Sequence, residues 1–190
     1  MTQTTQDKVR IFTAVSLPDH VKEEIQRWTV DNKDKLPFRN FTHKEDYHIT
    51  LQFLGDTETS SINALCEALR EAAVKMQQFP LSVGEAGVFG SPLRPRVLWK
   101  GVEGEIDELA GLFQHILDAT TPLGYIPEDR PYRPHITIAR KFDDSQKHKW
   151  NVKELPVQEK IEPWLVKDFV LYQTILGQKP MYKIIEKFDF

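Results

Sequence analysis

Cysteine is nearly missing from this chain of 190 residues, in which Cys66 stands alone. No intramolecular disulfide can brace the fold, and a chain of this length buries about 70% of its unfolded surface without one. Cys66 falls within an apolar helical stripe and is expected to be a small buried hydrophobe. Long apolar runs are missing too. Nowhere do eighteen apolar residues follow one another, so no membrane-spanning helix is expected. The opening MTQTTQDKVRIF is polar where a secretion signal needs an apolar stretch, and a cytoplasmic location is the expectation. Metal-binding patterns are absent: there is no HExxH, no paired CxxC and no aspartate cluster. His43 and His48 stand five apart and His148 lies further on, but no cysteine or carboxylate completes a ligand set. Neither a metal nor another cofactor is expected. Positive charge is not in excess either. Lys+Arg 25 against Asp+Glu 28 leaves −3, which excludes a positively coated surface and extensive nonspecific binding along nucleic acid.

What is present reads as an ordinary globular chain, 40% hydrophobic and 28% charged, too apolar for a disordered one. No low-complexity tract or Ser/Gly linker divides it, and residues 1–190 are read as one unit, a monomer by default. Val9 to Val15 and Tyr47 to Leu54 suit strands, the second ended by Gly55-Asp56. Leu81 to Phe89, Val97 to Trp99 and His135 to Ala139 suit strands as well. Leu165 to Leu176 and Tyr182 to Phe190 form a hairpin signal around Gly177-Gln178-Lys179-Pro180. Three stripes have helical spacing: Val21, Ile25, Trp28; then Ile62 through Leu65, Cys66, Leu69 and Ala73 to Met76; then Ile106 to Leu117, halted by Pro122 and Gly124. Several strands follow one another directly, which favours α+β over a doubly wound parallel sheet.

One element occurs twice. His48-Ile49-Thr50-Leu51 returns as His135-Ile136-Thr137-Ile138, 87 positions later, and suggests two related halves. Side chains at i and i+2 of a strand share a face, so each histidine points with its threonine and against its apolar neighbours. If both strands face one cleft, two imidazoles and two hydroxyls converge there. A pair of imidazoles holding one proton supplies a general base and a general acid together. Attack of water on a phosphodiester needs both. Thr50 and Thr137, with nearby cations, would hold the non-bridging oxygens as their charge grows.

Charge is unevenly placed. Residues 130–141 contain Arg130, Arg133, Arg140 and Lys141, and residues 91–101 contain Arg94, Arg96 and Lys100, with no acid in either run. These runs carry +7 and the remaining residues −10, a distribution that suits a local anion-binding cleft on an acidic exterior. Tyr47 and Tyr132 stand beside the motifs and could stack on a base, whereas Trp99 is expected to pack in the core.

The two motifs resemble the signature of the two-histidine (2H) phosphoesterases, and most closely the bacterial RNA 2′,3′-cyclic phosphodiesterase (2′-5′ RNA ligase-like) group. Arg10-Ile11-Phe12-Thr13-Ala14, Phe53-Leu54-Gly55 and Pro134 to Arg140 extend the likeness over essentially the whole chain. The resemblance implies a bilobal, pseudo-twofold α+β fold in which two antiparallel sheets flank a central groove with helices outside. It implies metal-independent hydrolysis of a terminal RNA 2′,3′-cyclic phosphate to a 2′-phosphate, with His48 as proton donor and His135 as proton acceptor. It also implies that Thr50, Thr137 and Arg140 contact the phosphate; the residues alone do not tell donor from acceptor. Two other readings stay open: a phosphodiesterase for a small cyclic nucleotide, and a non-catalytic module that binds RNA ends.

Overall fold

The computed structural model describes residues 8–146 and 150–190. Its β-branched and aromatic runs form nine strands: β1 (Lys8–Ser16), β2 (Phe38–Phe41), β3 (His48–Glu58), β4 (Phe79–Ser91), β5 (Arg94–Gly104), β6 (His135–Phe142), β7 (Trp164–Val166), β8 (Asp168–Thr174) and β9 (Tyr182–Asp189). The three stripes at helical spacing form α1 (Asp19–Asp31), α2 (Ile62–Ala73) and α3 (Ile106–Thr120). All described strand pairings are antiparallel, in the order β7-β4-β5-β6-β3-β1-β8-β9, with β2 on β6. Each half, β7-β4-β5-β6 and β3-β1-β8-β9, thus has four strands with its motif strand innermost. The halves meet at a single register pair, Ile49↔Ile136, so the two expected sheets share one continuous ladder.

That ladder has to curl. The run Leu165 to Leu176, expected as one strand, is cut at Lys167: Trp164–Val166 pairs with β4 at one edge, while Asp168–Thr174 pairs with β1 in the other half. One residue cannot span a flat sheet of eight strands, so the two edges approach each other, and Phe79 and Phe190 stack across them at 6.1 Å. The result is a half-barrel.

The helices cover one face. Leu65, Cys66 and Leu69 of α2 and Leu109, Leu112 and Ile116 of α3 are buried in one cluster with Ile49, Leu51, Ile136 and Ile138 of the central strands. Burying each such aliphatic side chain contributes roughly 1.5–3 kcal/mol, which fixes the apolar edge of both motif strands against the helices. Cys66 is a buried free thiol, as its stripe implied. The opposite face carries a smaller cluster of Phe12, Ala14, Val170 and Tyr172, with Tyr182 packed on it.

Candidate active site

Ile49 and Ile136, opposite each other at the junction of β3 and β6, are fully buried toward the helices. Extending the antiparallel register by one residue to either side sets His48 opposite Thr137 and Thr50 opposite His135. All four therefore lie on the face away from the helices, where the halves meet.

Each imidazole is held in the same way. His48 Nδ1 is 2.7 Å from the carbonyl of Asp46, and His135 Nδ1 is 2.7 Å from the carbonyl of Arg133. A carbonyl only accepts, so Nδ1 carries the proton in both rings and Nε2 is left for chemistry. Nε2 of His48 lies 3.0 Å from Thr50 Oγ1, whereas His135 Nε2 has no hydrogen bond to a described residue.

Burial pushes His48 down to about 4, and the charges of His135 and Arg140 push the same way against the bond to Asp46. His135 is also lowered, first by burial and then by Arg140 and Arg130, against the bond to Arg133. Both rings are neutral in the resting site at neutral pH. The unfolded chain, with histidines near 6.5, binds more protons than the folded one between that value and about 4. Stability should therefore fall as pH drops through this window. A thermal melt series from pH 7 to 4 checks it: His48→Gln should flatten the decline, and an unchanged slope would contradict the assignment.

Arg140 stands five residues after His135, an odd spacing that simple alternation would place on the other face. The pairing explains why it is not. Leu98 faces Ala139 but Trp99 faces Thr137, so Ile138 is an extra bulged residue. Ile138 and Ala139 are both buried, and Arg140 returns to the histidine side, where its charge acts on both imidazoles. β3 repeats the device. Leu51 is the extra residue between Ala14↔Thr50 and Thr13↔Gln52, and Phe53 emerges 50% exposed at the position matching Arg140. Directly after Arg140, Lys141 adopts φ 61°, a left-handed conformation costly for a lysine.

Other expected residues are placed differently. Tyr47 is a correction: it is 1% exposed in the core, its hydroxyl donating to Gln26 Oε1 at 3.2 Å, and it offers no face to a base. Tyr132 stacks on Phe113 at 4.2 Å and donates to the carbonyl of Thr50 at 3.2 Å, thereby bracing the motif strand. Arg130 is held by Glu128 at 2.8 and 3.1 Å. The side chain of Arg133 is exposed, and the contact it makes to His135 is through its carbonyl. The basic runs shrink in space: Arg94 is gripped by Asp144 at 2.7 and 2.6 Å, and Lys100 is buried with its ammonium 3.6 Å from the centre of the Trp28 ring. Trp99 is not in the core. It lies half-buried 6.4 Å from His135, with Phe89 at 4.7 Å from the same ring. A Cβ at Gly87 would sit inside the Trp99 indole, so glycine is needed there. His43 accepts from the backbone N–H of Glu45, and His148 lies outside the described residues.

Sequence reasoning missed the aromatic wall around His48. Phe12 is 5.0 Å, Tyr182 5.1 Å and Tyr172 5.9 Å from its ring. They come from β1, β8 and β9, and only the sheet order brings them together.

The model of the family described as LigT like Phosphoesterase matches residues 15–99 and again 101–182, one motif in each segment. The chain belongs to the LigT-like phosphoesterase family. The double match agrees with the motif and the bulge that β3 and β6 share. A relative from Geobacillus stearothermophilus, named RNA 2′,3′-cyclic phosphodiesterase, is 38% identical over 93% of this chain, which spans 56% of that relative. One of the same name from Bacillus subtilis (strain 168) is 33% identical, with 94% of each chain covered. Among solved structures, E. coli LigT complexed with 3′-AMP has the same fold (TM-score 0.79, 24% identity, 97% and 99% coverage). So has TT0787 of Thermus thermophilus (TM-score 0.71, 28% identity, 95% and 97% coverage).

Proposed function

We propose that this LigT-like phosphoesterase hydrolyses the 2′,3′-cyclic phosphate at an RNA terminus to a 2′-phosphate. The observation that carries the reading is the pair of Nδ1-anchored imidazoles, each with its own threonine, set on one face by Ile49↔Ile136. Water attacks phosphorus opposite the 3′-oxygen and gives its proton to Nε2 of His135, the ring nitrogen without a described partner. The substrate's phosphate favours the protonated form of His48, which is neutral in the resting site, so Nε2 carries a proton taken up with the substrate. As the P–O3′ bond breaks, that proton passes to O3′. The products are a 2′-phosphate and a free 3′-hydroxyl. Thr50, Thr137 and Arg140 offset the charge that grows on the non-bridging oxygens, and the exposed ring of Phe53 together with Trp99 offers surface to a base.

The relatives' shared name supports the substrate class. The direct test is incubation with a 2′,3′-cyclic mononucleotide, and with an RNA bearing that end, in a chelating buffer. The expected product is the 2′-phosphate in both. A 3′-phosphate, or binding without turnover, would contradict the reading, and faster turnover of the mononucleotide than of the RNA end would move the substrate toward small cyclic nucleotides.

A further inference from the structure

Asp46 has no part in the chemistry above except through its carbonyl, yet its side chain is 5% exposed. It closes the one-turn helix Lys44–Asp46 immediately before β3. Its carboxylate accepts from the backbone N–H of Met181 at 3.0 Å and of Tyr182 at 3.1 Å, across more than 130 residues of sequence. The same residue accepts the Nδ1 proton of His48 on its carbonyl. Tyr182, thus anchored, sets its ring edge-on to His48 and edge-on to Phe12 at 4.9 Å. Backbone and side chain of one residue therefore hold both the imidazole and the ring packed against it. The other half lacks this device: Arg133, at the same place before His135, offers a carbonyl, and its side chain is exposed.

We infer that Asp46 is a positioning residue for His48, tying the β8–β9 hairpin to the motif strand so that Nε2 points at the reacting oxygen. The inference rests on the proposed hydrolysis, since it concerns the same site. A buried carboxylate that loses its donors is costly, so a purely structural anchor is the alternative, and the two differ in what they move. A misplacement of about 1 Å in a reacting group can cost on the order of 10²-fold in rate, while an anchor alone changes only the folded fraction.

The experiment compares wild-type and Asp46→Asn chains. In Asp46→Asn the amide keeps an acceptor but presents a donor to the hairpin amides. Supporting results are a cooperative melt, kcat lowered about 10- to 100-fold per folded molecule and KM changed less than about threefold. A folded variant with wild-type kcat, or a loss accounted for by the unfolded fraction, overturns the inference. A second arm needs no variant. Imidazole nitrogen NMR of the wild-type chain should show neutral His48 as the Nδ1–H tautomer, and the Nε2–H tautomer overturns the inference even if Asp46→Asn does not fold. Wild-type turnover of the cyclic mononucleotide is the control that separates failure of this inference from failure of the proposed function.

Discussion

Alanine at His48 or at His135 should lower kcat/KM for a 2′,3′-cyclic nucleotide by about 10³-fold, and the double variant should be little worse than either single one. Positioned general acid–base groups contribute about 10²- to 10⁴-fold each, and groups that act as a unit are strongly non-additive. Neither ring belongs to the main core beneath the helices; His48 packs on Phe12, Tyr172 and Tyr182, so rates of its alanine variant are compared per folded molecule. The wild-type pH dependence follows from their surroundings. Both free-enzyme pKa values are below the ordinary histidine value, His48 at about 4, and the working pair holds one proton. kcat/KM, which reports the free enzyme, should therefore peak below about pH 6.5, with limbs that belong to the pair rather than to either ring. A bound phosphate opposes the charge of Arg140 and favours the protonated imidazole, so the kcat profile should lie at higher pH. Stopped or continuous assays from pH 4 to 9 separate the two. Full activity in either alanine variant, or coincident profiles with a maximum above pH 7, would rule out this account.

The parts of the fold set by local periodicity were legible. Helical spacing located all three helices because each buries one stripe, and alternation placed His48 and His135 with their threonines. The same alternation argues against Tyr47 as a base platform, since it is adjacent to His48 and belongs on the opposite face. What was not legible depends on pairing. The charged pair Lys167-Asp168 interrupts the apolar run between Val166 and Phe169, but nothing local says that the segments before and after it pair in different halves of the sheet. β3 continues through Gly55, which adopts φ +75° in an irregular stretch of the β1 ladder instead of ending the strand. The basic runs are acid-free only along the chain, because the acid paired with Arg94 comes from fifty residues away. Lys100 adds charge to such a run, although alternation from Trp99 turns it into the core. Asp46 gave no signal at all, since its partners are main-chain amides of the last hairpin.

The bulge in β6 gives the second large effect. Because Ile138 is the extra residue, Arg140 shares the face of His135 and has no ion-pair partner among the described residues, whereas Arg130 is held by Glu128. Arg140 is the cation whose field reaches both imidazoles and the Tyr182 hydroxyl. Arg140→Ala should thus lower kcat/KM by about 10²- to 10³-fold, the range for removing one donor to a developing oxyanion. It should also weaken inhibition by a 2′-phosphate product. Arg140→Lys should recover only part of the loss, since a point charge replaces a planar fork that can grip two phosphate oxygens. Arg130→Ala and Arg133→Ala should cost far less, one cation being already paired and the other residue contacting His135 through its backbone. The exposed position of Arg140 keeps the expected change in stability within about 0.5 kcal/mol, so activity loss reads directly as lost phosphate contact. The alanine substitution also removes a positive charge that depresses both histidines, so the kcat/KM optimum should move to higher pH as the rate falls. A kinetic loss without that movement would place Arg140 away from the imidazoles, and equal losses at Arg130 and Arg140 would mean that the ion pair with Glu128 does not restrain the first.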